Sequence, residues 1–122
     1  MKKSILIIFV FLISFCSFGQ TIEETVGKFK LYKTSNIWTF LKLDTSSGEI
    51  WQIQFSVNEN LQSEMPINIV KLAFGDDMQN GRFQIYNTKN HFNFLLLDSV
   101  DGSLWQFQWG LKEESRGLIY KY

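Results

Sequence analysis

GKFKLYKTSNIWTFLKLDTSSGEIWQIQFSV, Gly27 to Val57, returns without a gap fifty-four residues later as GRFQIYNTKNHFNFLLLDSVDGSLWQFQWGL, Gly81 to Leu111. Thirteen of the thirty-one paired positions are identical, among them Tyr32/Tyr86, Leu41/Leu95, Asp44/Asp98, Gly48/Gly102, Trp51/Trp105 and Gln52/Gln106. Ordinary residue frequencies would give about two such matches. The chain is therefore a tandem repeat, and its fold must be built from one unit used twice.

Within each copy the apolar residues alternate. Phe29-Lys30-Leu31-Tyr32-Lys33 and Phe83-Gln84-Ile85-Tyr86 put apolar side chains on one face at period two, the signature of a half-buried strand. Thr34-Ser35-Asn36 and Thr88-Lys89-Asn90 supply turn residues. A second strand, Trp38 to Leu43 and Phe92 to Leu97, is nearly continuous in apolar residues, which predicts a strand flanked on both sides or partly covered by the other repeat. Asp44 to Gly48 and Asp98 to Gly102 read as hairpin turns. The aspartate accepts backbone N–H groups there, and the glycine supplies a positive φ. The third strand is the cleanest, with Trp51-Gln52-Ile53-Gln54-Phe55 and Trp105-Gln106-Phe107-Gln108-Trp109 pointing apolar side chains one way and glutamines the other. A loop is predicted at Asn58 to Glu64, and a fourth strand at Ile67 to Phe74, with Leu118 to Tyr122 as its counterpart. Gly75 to Asn80 then joins the copies.

No stretch carries a helical period, so the expected fold is all-β. It comprises two antiparallel meanders, repeat 1 over 27–74 and repeat 2 over 81–122, forming a sandwich or a small barrel of about eight strands. A pseudo-twofold axis relating the copies would set their ring-bearing sides, Trp51 and Trp105 included, against each other. The alternative is a pair of propeller blades, which would require oligomerisation because propellers have about four or more blades.

Residues 1–19 read as a secretory signal. Lys2 and Lys3 are followed by an apolar run from Ile5 to Phe18 and by Ser17-Phe18-Gly19, placing the cut near Gly19-Gln20. That run has fourteen residues, and a spanning helix needs about twenty. The expectation is export to periplasm, cell surface or medium, with no stable membrane insertion after cleavage. The domain from Gln20 to Tyr122 would keep twelve acidic and ten basic residues and lose Cys16, the one cysteine, so it would hold together without disulfides. Without a basic tract among its aromatics, nucleic acid is a poor partner.

The unit G-K/R-F-x-x-Y…F-L-x-L-D-x-x-x-G-x-x-W-Q resembles repeats in small, uncharacterised bacterial secreted proteins. That resemblance implies a β fold and an envelope setting, and it brings no activity with it.

The inventory for catalysis is thin. His91 is the one histidine, replaced by Ile37 in the first copy, and a base needs an orienting partner within hydrogen-bond reach. Asp98, Asp101 and Gly102 faintly resemble a calcium loop, but the first copy offers one acid, and about six or more oxygens are needed. Asp76-Asp77 reads as a solvated linker pair. We expect no metal, no cofactor and no enzymatic activity. Gln52, Gln54, Gln106 and Gln108 are the more distinctive residues, since each amide can both donate and accept. Beside Tyr32, Tyr86 or Trp38 they would suit a sugar or polar peptide, with rings stacking and amides reading hydroxyls. The simpler reading makes them the solvated face of a sheet whose tryptophans are buried. Lys28, Lys30 and Lys33 fit a guarded edge strand better than a charged site, since the second copy has Arg82, Gln84 and Asn87. The expected function is an exported binding module for a glycan or an envelope protein. The alternative is an assembly component that oligomerises through its β edges.

Overall fold

The computed structural model describes residues 26–122, so the expected signal, its cleavage point and the lead-in through residue 25 lie outside the described residues. The described chain forms eight strands: β1 Phe29–Lys33, β2 Thr39–Asp44, β3 Ile50–Gln54, β4 Ser63–Asn68, β5 Phe83–Asn87, β6 Asn93–Asp98, β7 Leu104–Gln108 and β8 Gly117–Lys121. They make two four-stranded antiparallel meanders, ordered β1-β2-β3-β4 and β5-β6-β7-β8. The fold is all-β and sandwich-like. The two sheets remain separate, so the barrel alternative does not hold.

The hairpin turns form as their residue types require. Asp44 Oδ1 accepts from the N–H groups of Ser46 (2.9 Å) and Ser47 (3.2 Å), and Asp98 Oδ1 does the same for Val100 (2.9 Å) and Asp101 (3.4 Å). Gly48 and Gly102 close them at φ +84° and +79°, a region that favours glycine. At the first turn of each unit, Thr34 Oγ1 donates to Thr39 O and Thr88 Oγ1 to Asn93 O, while Asn36 and Asn90 cap the N–H groups of Trp38 and Phe92. These paired bonds account for the identity of the two copies at threonine, asparagine, aspartate and glycine.

The fourth strand departs from expectation. It occupies Ser63–Asn68 in the first unit, overlapping the predicted loop, and ends where Ile67 to Phe74 was expected to run. Together with the 3-10 turns Glu59–Leu61 and Glu113–Ser115 it keeps the spacing of fifty-four residues, so the repeat runs well past Val57. Pro66 is tolerated because β4 is an edge strand. The chain then leaves the sheet at Asn68, whose side chain donates to Gly48 O and Val70 O, each at 3.0 Å. Leu72 N–H donates to Ser47 O at 2.7 Å, strapping the linker over the first hairpin turn.

Each sheet has two faces, and strand register defines them. Tyr32, Leu41 and Gln52 share one face of the first sheet with Leu43 and Ile50, which we term the leucine face. Leu31, Lys42 and Trp51 share the other with Phe29, Phe40 and Ile53, which we term the aromatic face. The second sheet repeats both, as Tyr86, Leu95, Gln106, Leu97 and Leu104, and as Phe83, Ile85, Phe94, Leu96, Trp105 and Phe107. The core forms between the leucine face of the first sheet and the aromatic face of the second. Burying a large apolar side chain is worth about 1.5–3 kcal/mol, so this single layer of Leu41, Leu43, Ile50, Phe83, Leu96 and Phe107 is the main source of stability.

The sheets thus meet by unlike faces. Phe83 is 0% exposed and its repeat-equivalent Phe29 is 54% exposed, while Ile85 and Leu31 stand at 6% and 60%. A pseudo-twofold axis would equalise these pairs, so the expected symmetry and the meeting of ring-bearing sides are both overturned. Trp105 is buried beside Phe83, with ring centroids 6.4 Å apart. Trp51 remains half-exposed beneath the Lys42 ammonium, 4.9 Å from its ring centroid.

Candidate functional site

The four glutamines do not form one surface. Gln52 is fully buried between the sheets, where its Oε1 accepts from Gly110 N–H at 3.1 Å. That corrects the reading of these amides as a solvated face. Leu41 lies directly across from Gln52, and strand β2 is apolar on both sides, so its glutamine neighbour enters the core. Gln54 accepts from Thr39 Oγ1, and Gln106 Nε2 donates to Asn93 Oδ1 at 2.8 Å. Gln108 is half-buried at the margin of a groove beside Phe92 and Trp109. Tyr32 packs on the core with its hydroxyl accepting from Ile85 N–H at 3.3 Å, whereas Tyr86 is largely exposed and its hydroxyl donates to Gln84.

The titratable groups are tied to the turns. Asp98 is buried and makes a two-point ion pair with Arg82, at 2.9 Å to Nε and 2.7 Å to the terminal nitrogen. Burial pushes the Asp98 carboxyl up. Arg82 and the N–H groups of Val100 and Asp101 outweigh it and hold its pKa below the ordinary carboxylate value. In the first unit the equivalent pair, Lys28 to Asp44, stands at 3.8 Å. These carboxylates serve hairpin closure, and no group of three His, Cys, Asp or Glu able to hold a metal occurs among the described residues. Asp76 and Asp77 sit exposed in the short 3-10 turn Gly75–Asp77. His91 is exposed on a cleft of about 300 Å³ between the two threonine–asparagine turns, shared with Lys33, Asn87 and Asn90. The His91 carbonyl anchors Trp109 Nε1 at 2.9 Å.

Two large features remain, and both come from the face-to-unlike-face packing. The aromatic face of the first sheet is open, with Phe29, Leu31, Trp38 and Phe55 exposed. The leucine face of the second sheet is open too, with Tyr86 and Tyr120 exposed and Leu95, Leu97 and Leu104 half-buried. On the first of these, Trp38 packs against Phe55 with centroids 5.1 Å apart and the rings tilted by 52°. A groove of about 260 Å³ runs between them and Gln54, bounded by Val57 and Leu61. Of the sequence-selected residues, Trp38 and Gln54 are thus brought together, Tyr86 and Gln106 share the other open face, and Tyr32 and Gln52 belong to the joint. Phe29, Leu31 and Phe55 were not singled out from sequence. Their signal is only that each is an apolar residue with a buried equivalent.

No helix among the described residues is long and apolar enough to cross a membrane, a statement that leaves strands aside. Comparison of the chain with protein-family models, with curated proteins and with solved structures returns no match.

Proposed function

We propose that the chain is a non-enzymatic interaction module of the bacterial envelope that works through the open faces of its sheets. The observation that carries this reading is the contrast between repeat-equivalent residues. The face that in the second sheet forms the core leaves Phe29, Leu31 and Phe55 exposed in the first, against buried Phe83, Ile85 and Trp109, with Trp38 beside them and the Lys42–Glu64 ion pair among them. Isolated exposed apolar residues need no explanation, but a rimmed patch of them on one face marks an interaction surface. Export after cleavage near Gly19-Gln20 belongs to the same proposal, since an envelope module must leave the cytoplasm.

A second reading, a glycan or polar peptide held in the groove, is favoured by the Trp38–Phe55 pair on a groove that Gln54 and Ser56 also line. Rings of this kind stack on sugar faces while an amide reads hydroxyls. The test is a binding panel of soluble glycans, short polar peptides and the domain itself. It compares wild type with a Phe29→Ser/Leu31→Ser/Phe55→Ser variant and with Trp38→Ala. The module reading expects one class of partner to bind wild type and to lose the triple variant, with Trp38→Ala adding loss only if the groove holds the ligand. A wild type that engages none of the three classes defeats the proposal.

A further inference from the structure

The joint between the two sheets leaves an unused half at each end of the molecule. Its first half is a leucine face, and the second sheet carries another, with Tyr86, Leu95, Leu97 and Gln106 identical to Tyr32, Leu41, Leu43 and Gln52. Its second half is an aromatic face, and the first sheet carries another, apolar at the equivalent strand positions except where the Lys42–Glu64 ion pair stands in place of Leu96 and Leu118. We infer that copies of this chain associate head to tail, with the leucine face of one copy's second sheet docking on the aromatic face of the next copy's first sheet. The inference deepens the interaction-module reading by naming the partner as a second copy of the chain.

Hydrogen bonding gives the joint a direction. In the internal joint the leucine-face side supplies acceptors: Thr45 O takes Phe83 N–H at 2.8 Å, Tyr32 Oη takes Ile85 N–H at 3.3 Å, and Gln52 Oε1 takes Gly110 N–H. The aromatic-face side supplies the backbone donors. At the open ends the acceptors recur as Ser99 O, Tyr86 Oη and Gln106 Oε1, and the donors as the N–H groups of Phe29, Leu31 and Ser56. Among the described residues, none of these six groups takes part in a bond between the sheets. Aromatic face against aromatic face would oppose backbone donor to backbone donor and leave buried N–H groups unpaired, which is costly. Unlike faces satisfy all three pairs at once. Such a heterologous contact either closes into a ring or continues as a filament. Four-stranded meanders stacked face on face are the arrangement of propeller blades, and rings of about 4–8 blades would take about two to four copies.

The test uses two blocked forms of the domain. Phe29→Glu/Leu31→Glu spoils the open aromatic face, and Tyr86→Glu/Leu95→Glu spoils the open leucine face. Sedimentation velocity is run over roughly a hundredfold range of concentration, since association follows mass action. Wild type is expected as a discrete ring or as a species whose mass grows with concentration, and each blocked form as a monomer. An equimolar mixture of the two blocked forms should double in mass and stop there, because one complementary pair of faces survives. If a blocked form fails to fold by circular dichroism, oxidation of a Ser99→Cys copy with a Phe29→Cys copy provides the second measurement, the mature chain having no other cysteine. The expected result is a cross-linked dimer in the mixture that far exceeds that of either variant alone. A blocked form that still dimerises, a mixture that stays monomeric, or cysteine copies that cross-link no better mixed than alone would overturn the inference. A monomeric wild type that still binds a glycan or peptide through its aromatic face overturns self-association and leaves the module reading standing. A monomer that binds nothing removes both.

Discussion

Phe29 and Phe83 are the same residue at the same place in two copies of one unit, and face-to-unlike-face packing predicts very unequal losses on shortening them. Phe83 is wholly enclosed and touches Trp105. Phe83→Ala therefore loses a full transfer term and opens a cavity, at a cost of about 3–5 kcal/mol. More than half of Phe29 is already in water, and its neighbours include the ammonium ends of Lys28 and Lys42, 5.4 and 5.9 Å from its ring. Phe29→Ala should cost no more than about 0.5 kcal/mol, the range of ordinary surface changes. In a domain of this size about 1 kcal/mol moves the melting temperature by roughly 4–8 °C. Phe83→Ala should then fall by more than about 10 °C, with Phe29→Ala within a few degrees of wild type. The assay is urea and thermal unfolding of a domain spanning residues 20–122 at high dilution, so that contacts between copies do not contribute. Equal losses for the two variants would mean that both rings are buried alike, and the assignment of faces would have to be abandoned.

Three further predictions follow from other places in the fold. Gly48 and Gly102 share a positive φ, but a Cβ on Gly48 would come within 2.9 Å of Leu72 while one on Gly102 would meet nothing within 4 Å. Gly102→Ala should cost only the left-handed backbone strain, about 1–2 kcal/mol, and Gly48→Ala clearly more, as read from denaturant midpoints. Because the folded Asp98 carboxyl has a pKa below its unfolded value, its contribution is fully present above the unfolded value of about 3.9 and is lost as pH falls through the folded one. Wild type should therefore lose stability more steeply than Asp98→Asn below about pH 4, and parallel acid-unfolding curves would refute this. The double change Lys42→Leu/Glu64→Leu restores the residue types that the buried aromatic face carries at Leu96 and Leu118, and it removes the ion pair as a whole. It should strengthen self-association at least several-fold by sedimentation, and weaker association would count against head-to-tail docking.

Much of this architecture was legible because the repeat states it twice. Threonine, asparagine, aspartate and glycine at matched positions announce turns, and the turns form with the same bonds in both units. Two strands per unit follow from the period-two pattern, and the one between them from its apolar run. The fourth was misplaced because Ser63–Asn68 and its counterpart share no residue, and because proline at 66 argues against a strand unless the strand is known to be an edge. The choice of face was not legible at all. Strand β2 reads Phe-Leu-Lys-Leu, apolar on both sides, and alternation cannot say which side meets the neighbouring sheet. That ambiguity hid the burial of Gln52 and the exposure of Phe29, the two facts from which the candidate site is built. Both depend on where a unit sits relative to its neighbour, information that no window of one unit contains.

The same dependence has an energetic corollary. When identical building blocks stack, stability is close to a sum of per-block and nearest-neighbour terms. A free chain has two blocks and a single seam, whereas a closed circle has one seam for every block. Closure would double the cohesive contribution per block without any new type of contact. Dilution, which dissolves only the seams between chains, would then be a more selective stress on the assembly than heat, which melts every seam alike.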